Sequence, residues 1–394
     1  MIKAHKIRLH PTPEQATYFA KAAGTARYTF NWALTEWKRQ YEAGEKPSAL
    51  TLRTQFHALR RSELPWTYDV TKCAIEGAFM DVAAAFKNFF EGIASGRKTG
   101  FPKFKSKKRS RYSFYLANDT FTVGDHWIKV PKLGRVNMAE SLRFSGKILS
   151  ARISKHASWW FVSITVELPD DIPLNTHPPV GVDVGLNRLA TVNDGRRYEN
   201  QRPLIHQLKK LRRLNKELAR RSSGGKNWQK TRDRLGRLHY TIGCHRLDWL
   251  HKLTTELART SGFVAVEDLH VKGLIQNRCL SRSFSDAAVG KLLDLLESKV
   301  PHQGGMLVKV DRFFPSSQLC HCCGARKEDL TLADRVFVCP NPDCGYIGDR
   351  DENASWNILV EALRLFGLNL NEPSRVVATT RRKTAWGPGV RPKK

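Results

Sequence analysis

The sequence is poor in acidic residues: 37 Asp and Glu stand against 66 Lys and Arg, which gives a formal charge of +29 over 394 residues. A compact chain with this excess repels itself unless a polyanion neutralises it. The imbalance therefore favours nucleic acid as a partner over a merely solvated basic surface. An anionic membrane surface fits less well, because no long basic amphipathic helix stands apart from the globular pattern.

Long apolar runs and a cysteine framework are also missing. No stretch of about 18 apolar residues occurs, so we expect no transmembrane span. The N-terminal residues MIKAHKIRLHPTPEQ lack the apolar core of a secretion signal. Cys73, Cys244 and Cys279 are scattered, which argues against disulfides and for a reducing cytosol.

Four of the eight cysteines form two short pairs, Cys320/Cys323 and Cys339/Cys344. Two cysteine knuckles separated by a loop supply the four thiolates that tetrahedral zinc binds at ~2.3 Å. The second pair encloses four residues where two are commoner, and Cys322 or His321 could compete as a ligand. Taken alone, this stretch is equally typical of a DNA-binding zinc finger.

Single carboxylates follow apolar segments at three places. Asp183 lies in the strand-like run Pro179–Leu186, Glu267 follows Phe263–Val266, and Asp351 lies in an acidic turn before an apolar helix. Asp349 is the alternative in that turn. A charge among β-branched residues is costly unless it is paired or binds metal, so Asp183 alone could be either structural or functional.

Clustered acids inside a basic protein suit chemistry on a polyanion. A few carboxylates with water and phosphate oxygens bind Mg²⁺, and two such ions promote phosphodiester hydrolysis. The sequence therefore predicts a metal-dependent nuclease or strand-transferase with an RNase H-like core.

The segments before Asp183 predict a different organisation. Helical patterns fill residues 11–96, with a second helix expected to begin after Gly24, and their aromatic stripes indicate core packing. Residues 97–111 hold eight Lys and Arg and no acid. Rings interleave with them or follow, and exposed rings can stack on bases: Phe101, Phe104, Tyr112, Phe114 and Tyr115. A flexible basic linker is the alternative.

Two further regions have clear patterns. Short strands are predicted over residues 120–167, forming a small barrel or sheet that the N-terminal strand could join, with the helices as an insertion. Leucine spacing over residues 204–260 predicts an antiparallel helical hairpin. Its outer face is basic, with twelve Lys and Arg between His206 and Arg237 against Glu217 and Asp233.

Seven segments together resemble a known family. The segments GVDVGLNRLATVNDG, VAVEDLHVKGL, SSQLCHCCG and DRDENASWNI, preceded by RLHPTPEQ, RYTFNWAL and GFPKFKSKKRS, are similar to the TnpB (OrfB) proteins of bacterial and archaeal insertion sequences. These are transposon-encoded relatives of type V CRISPR effectors. The resemblance spans nearly all of residues 1–366.

The resemblance implies an RNA-guided DNA endonuclease of the prokaryotic cytoplasm, associated with the nucleoid. Its partners would be a guide RNA from the transposon end and target double-stranded DNA beside a short adjacent motif, with no membrane and either one or two copies acting. The alternatives are an RNA-guided regulator of transposition that does not cut, and a DNA strand-transferase.

The resemblance also implies an α/β multidomain architecture. Residues 1–10 and 110–178 would form a wedge-like β-barrel and 11–109 a helical recognition lobe with its basic linker. An RNase H-like (RuvC) domain would occupy 179–318 and 346–366, with a zinc ribbon inserted at 319–345 and a basic, disordered tail at 367–394.

The implied site residues fall into three groups. Asp183, Glu267 and Asp351 would be catalytic and bind two Mg²⁺ ions, whereas Cys320, Cys323, Cys339 and Cys344 would hold one structural zinc ion. The expected nucleic-acid contacts are Asn31, Trp32, Lys72, Glu76, Lys103, Lys105, Lys107, Lys108 and Arg109.

Overall fold

The computed structural model describes residues 1–170, 172–331 and 333–368, and the chain divides into two compact units at Asp170. The predicted basic tail lies outside these residues from 369 onward. No helix among the described residues has both the length and the apolar character needed to cross a membrane.

The first unit combines a sheet with inserted helices. A short 3₁₀ helix, Pro65–Asp69, lies between its second and third α-helices. In chain order its other elements are β1 (Ile2–His10), α1 (Pro13–Glu42), α2 (Ala49–Ser62), α3 (Cys73–Ala94), β2 (Ser113–Ala117), β3 (Thr122–Val123), β4 (Trp127–Val130), β5 (Gly134–Met138), β6 (Lys147–His156) and β7 (Trp159–Glu167).

The seven strands run in the order β2-β6-β7-β1-β5-β4-β3. The N-terminal strand β1 lies inside this sheet, antiparallel to both β7 and β5. The helices are therefore an insertion between β1 and β2. Within the described residues β2 and β3 form free edges, so the expected barrel is an open sheet.

Helix α1 begins as its sequence predicts and ends later. Thr12 caps it in a capping box with Gln15, and Pro13 occupies the first turn. The helix then continues through Gly24, where a new helix was expected, so that prediction is wrong. A glycine inside a helix costs only about 1 kcal/mol, and the buried neighbours Ala23 and Thr25 hold the backbone against the core.

The aromatic stripes of the helices pack mostly as predicted. Phe30, Phe56, Phe79 and Phe86 are buried in one helical core, whereas Tyr41 and Phe90, at the ends of two stripes, are exposed. Phe114 is different from the expectation: it lies on β2 with 1% of its surface exposed, so this ring cannot stack on a base. Alternation of Phe114 and Leu116 toward the core reveals a strand that the basic flank had obscured.

The second unit has an α/β architecture. Its sheet order is β10-β9-β8-β11-β12, in which β8, β11 and β12 are parallel and β9 and β10 are antiparallel. In chain order the elements are β8 (Pro179–Asp183), β9 (Arg188–Val192), β10 (Arg197–Glu199), α4 (Pro203–Ala219), α5 (Lys226–Thr260), β11 (Phe263–Glu267), α6 (Val271–Gln276), α7 (Ser281–Ala287), α8 (Val289–Lys299), β12 (Met306–Val310), β13 (Val336–Val338), β14 (Ile347–Asp349) and α9 (Arg350–Leu365).

Both faces of this sheet are covered, which explains its continuous apolar strands. In β11, Phe263 and Ala265 face the core that contains α9. Val264 and Val266 face the core that contains α5 and α8.

Helix α9 lies unusually close to β8. A Cβ added at Gly181 would stand 2.0 Å from the Ser355 carbonyl oxygen, so glycine is required there. This close packing brings the start of α9 to the carboxyl end of β8.

Candidate active site

Two of the predicted carboxylates meet because parallel strands end at the same edge of a sheet. β8 and β11 are neighbours, with Val182 opposite Val266. The next residues are Asp183 and Glu267, the last residue of each strand. Asp183 and Glu267 are far apart in the sequence, and the parallel register of β8 and β11 puts them side by side.

The third carboxylate comes from the first turn of α9, and its neighbour sets the geometry. Asp349 is the N-cap, accepting from the amides of Asp351 and Glu352. It also accepts a hydrogen bond from Arg188 at 2.7 Å, with Arg197 3.6 Å away. Asp349 is thus fully engaged within the protein, and Asp351 is the acid of this turn whose charge acts on Asp183.

The charges of the cluster act on one another. Burial raises the pKa of Asp183 to about 8, and the carboxylates of Glu267 and Asp351 contribute to the increase, while Arg350 opposes it. Burial also raises the pKa of Glu267, which a hydrogen bond from the Ser316 hydroxyl at 2.5 Å partly offsets. Arg350 pairs with Asp351 at 3.4 Å, and the carboxylate oxygens of the three acids are ligands of the kind that Mg²⁺ prefers.

Asp349 has the opposite electrostatic environment. Burial acts to raise the pKa of this carboxyl, but hydrogen bonds from Arg188 and two backbone amides outweigh it and hold the pKa below its usual value. Two acids only two residues apart therefore differ in environment: Asp349 is held by Arg188 and two backbone amides, whereas Asp351 pairs with the neighbouring Arg350 at 3.4 Å.

The carboxylates are more widely spaced than the cysteine ligands. Within the described ranges, the four cysteines are the one group of three or more His, Cys, Asp or Glu residues whose ligand atoms all lie within 4.8 Å of one another. The three carboxylates therefore do not form so tight a cluster among the described residues.

The cysteine cluster fits a tetrahedral metal. The Sγ atoms of Cys320 and Cys344 are 3.8 Å apart, and those of Cys323 and Cys339 are 3.5 Å apart. Four thiolates ~2.3 Å from a tetrahedral centre stand about 3.8 Å from each other. The four-residue spacing of the second knuckle is therefore accommodated, and a metal such as zinc fits the cluster.

Neither competing ligand joins the cluster. The Nδ1 atom of His321 lies 3.0 Å from the Asn353 side-chain oxygen, and its ring packs against Tyr346 and Trp356. Cys322 is exposed and contacts the other ring nitrogen of His321. These contacts engage both residues outside the four-cysteine group.

Two amides that the sequence analysis missed join the cysteine-rich segment to α9. Asn353, fully buried, accepts from the His321 amide and donates to the Leu319 carbonyl. Asn357 donates to the carbonyls of Ser316 and Leu319. The signal was their spacing: residues 353 and 357 are four apart and face one side of the helix.

The expected nucleic-acid residues of the first unit have mixed environments. Lys103, Lys107, Lys108 and Arg109 are exposed. Lys105 pairs with Asp81 at 3.0 Å and lies over the Phe30 ring.

The expected contacts on the helices are equally varied. Both ends of the Asn31 amide bond the Lys105 backbone, so Asn31 anchors the basic segment. The Trp32 ring packs against Phe56 in the helical core. Lys72 is exposed and Glu76 is partly buried.

Three family models match parts of the chain. Residues 163–278 match a model described as "Probable transposase", and residues 290–358 match "Cas12f1-like, TNB domain". Residues 1–46 match "Helix-turn-helix domain", although here they form a strand and one continuous helix.

A solved structure and two curated proteins are similar over most of their length. The structure titled "Cryo-EM structure of the Cas12f1-sgRNA-target DNA complex" superposes with a TM-score of 0.57 over 88% of this chain and 83% of that chain, at 16% identity, which shows a shared fold. An Escherichia coli (strain K12) protein named "Putative RNA-guided DNA endonuclease InsQ" is 28% identical over 91% of this chain and 92% of its own.

A Streptomyces pristinaespiralis protein named "Putative RNA-guided DNA endonuclease" is 32% identical over 372 residues, 92% of this chain and 89% of its own. Similarity of this extent, together with the matched transposon-family model, confirms the resemblance seen in the sequence motifs: the chain belongs to the TnpB (OrfB) family.

Proposed function

We propose that the protein is an RNA-guided DNA endonuclease in which Asp183, Glu267 and Asp351 are the catalytic carboxylates. The observation that carries the proposal is the meeting of three acids from three separate segments, close enough that two of them raise the pKa of the third. Asp349 in the same turn is instead held by Arg188 and by two backbone amides, an arrangement typical of a structural acid.

The residues of the site have distinct tasks under this proposal. The carboxylates of Asp183, Glu267 and Asp351 would hold two Mg²⁺ ions. When bound, two such ions activate a water and stabilise the leaving 3′ oxygen of a phosphodiester. Ser316 orients Glu267 through its hydroxyl, and Asp349 fixes the first turn of α9 so that Asp351 points toward the other acids.

The strand order of the second unit supports an RNase H-like (RuvC) domain over residues 179–318 and 346–366. A zinc ribbon over 319–345 would be its insertion, with zinc serving a structural role. In the first unit we propose a wedge domain built on the open sheet and a recognition lobe formed by the helices between β1 and β2. Names of the relatives support a guide RNA and target DNA as partners.

Plasmid cleavage tests the proposal. The protein is co-expressed with RNA transcribed from its own element's end, and a plasmid carrying the complementary target is supplied with Mg²⁺. We expect linear product with the parent and none with Asp183→Ala, whereas Asp170→Ala, an exposed acid of the first unit, cuts normally. Cutting by the Asp183 variant would show that the assignment is wrong, and a guide-dependent complex that never cuts would favour the non-cutting regulator.

A further inference from the structure

The hairpin of α4 and α5 is an arm with its own small core. The C-terminal half of α5 belongs to the core beneath the main sheet, through Leu250, Leu253 and Leu257. The N-terminal half packs against α4 in a separate cluster of buried leucine and isoleucine side chains: Leu211, Leu214, Leu238 and Ile242. The outer half of the hairpin therefore extends beyond the core of the sheet.

One acid at each end of the arm joins its parts: the buried Asp286 at the base and the partly buried Glu217 near the tip. At the base, Asp286 accepts from the amides of Leu204 and Ile205 and pairs with Arg246 at 3.0 Å. It thereby caps α4, whose own N-cap residue makes no side-chain hydrogen bond.

Near the tip, Glu217 plays the equivalent part. It bonds Arg221 at 2.6 Å within the turn, and Thr231 and Arg234 on the facing helix at 3.1 and 3.3 Å. Most of the acidic charge near the arm is thus used internally, and the cations on its outer face are left for another partner.

The outer face of α4 is a row of cations at helical spacing. Lys209, Arg212, Arg213 and Lys216 are exposed and line one shallow concavity of about 520 Å³. None has an acidic group within 4.0 Å among the residues that the structure describes. Positions four apart advance about 6 Å along a helix, which is close to the separation of neighbouring phosphates on a nucleic-acid strand.

We propose that this cationic row binds the sugar–phosphate backbone of a nucleic-acid duplex. Residues 203–219 contain no Phe, Tyr or Trp, so the row offers no platform on which unpaired bases could stack. A rigid line of Lys and Arg instead suits backbone contacts that read shape without reading sequence. The inference rests on the proposed function only in taking nucleic acid as the partner.

The test measures how binding depends on salt. Each phosphate contact to a B-form duplex contributes about 0.9 to the slope of log K against log salt. The triple variant Lys209→Gln, Arg213→Gln, Lys216→Gln should therefore lower the slope by about 3 for a duplex of about 20 base pairs. Fluorescence anisotropy with the full-length, zinc-loaded protein in Mg²⁺-free buffer, after removal of copurified RNA, gives this slope without cutting.

The matched control removes the same three charges elsewhere. Lys38, Lys87 and Lys252 are exposed, and each is already paired with an acid four residues away. Changing these three to Gln should leave the slope unchanged. The exchange Lys209→Arg, Arg213→Lys, Lys216→Arg should also keep the parent slope, because the charges remain.

Different results separate the explanations. RNA–DNA, RNA–RNA and DNA duplexes identify which duplex is preferred. An equal loss of slope in the control would mean that only overall charge matters, and an effect on single-stranded RNA but on no duplex would overturn the inference. If the parent protein cuts DNA but the triple variant keeps the parent slope, the cationic row is not a duplex-binding surface and the proposed function stands. If the triple variant loses slope but the parent never cuts, the proposed function is wrong and the binding surface stands.

Discussion

Replacing Asp183 with Asn should stabilise the Mg²⁺-free protein while abolishing cutting. In the folded protein, burial raises the pKa of this carboxyl from 3.8 to about 8, and the charges of Glu267 and Asp351 contribute to the increase. Asn has nearly the same shape but is uncharged, so no charge has to be removed from water when the side chain is buried. The gain in stability should depend on pH, because the unfavourable charge forms only as the pH rises.

The sign and size follow from proton linkage. Below about pH 4, Asp183 is protonated in both the folded and the unfolded chain, so its raised pKa does not change the free energy of unfolding. Toward pH 8 the unfolded chain releases the proton first, so the folded state loses about 1.4 kcal/mol for each pH unit. Partial access of water to the site and charge shared among the three acids reduce this loss of folding free energy. We therefore expect Asp183→Asn to be about 3 kcal/mol more stable than the parent at pH 8.

Hydrogen exchange of peptides from β8 and β11 measures the effect where it arises. At pH 8, Asp183→Asn should slow the exchange of β8 and β11 amides roughly 100-fold relative to the parent. At pH 5 the ratio of the two exchange rates should be several-fold smaller. The variant is compared with the parent at equal pH, with zinc present and Mg²⁺ absent.

The matched control is Asp349→Asn. Asn still caps a helix well, but the pairing with Arg188 is lost. Because the pKa of Asp349 is lowered on folding, its contribution is present above its unfolded pKa, and the variant should be less stable at pH 8. If Asp183→Asn protects neither strand at pH 8, the acids do not repel one another and the reasoning is refuted.

Three further substitutions test the surroundings of the site. Asn353→Ala leaves the His321 amide and the Leu319 carbonyl without their buried partner, so urea unfolding followed by circular dichroism should show a loss of about 2–3 kcal/mol. Ser316→Ala removes the hydrogen bond that lowers the pKa of Glu267, so that pKa should rise and the acid limb of the pH–cleavage profile should move to higher pH; an unmoved limb would contradict this. Asp286→Ala removes the buried acid that pairs with the partly exposed Arg246 and caps α4, and thermal unfolding should show a loss of about 2 kcal/mol that Asp286→Asn partly restores.

Local patterns predicted most of the helices and the candidate acids. Thr12 and Pro13 set the start of α1, because capping depends on neighbouring residues alone. Asp183 and Glu267 could be paired in advance, since apolar strands ending in acids meet when the strands are parallel. Their spacing and shared charge required the register of β8 and β11.

Features that depend on distant partners were beyond the sequence. Asp349 and Asp351 stand in one acidic turn, and the resemblance favours Asp351, but the pairing that sets Asp349 apart depends on Arg188, 161 positions away. Phe114 looked like an exposed ring beside basic residues, but pairing of β2 with β6 places it in the core. The anchoring of Lys105 by Asn31 joins residues 74 positions apart, which no local pattern indicates.

The central position of β1 has a consequence for synthesis on the ribosome. Strand β1 is made before both of its sheet neighbours, β5 and β7, which lie near the far end of the first unit, and the Met1 nitrogen bonds the Leu168 carbonyl. The inserted helices share a core of their own and can form early, whereas one edge of β1 has no partner until β5 is made and the other has none until β7 follows. A strand that is made so long before both of its partners is exposed to mispairing during translation.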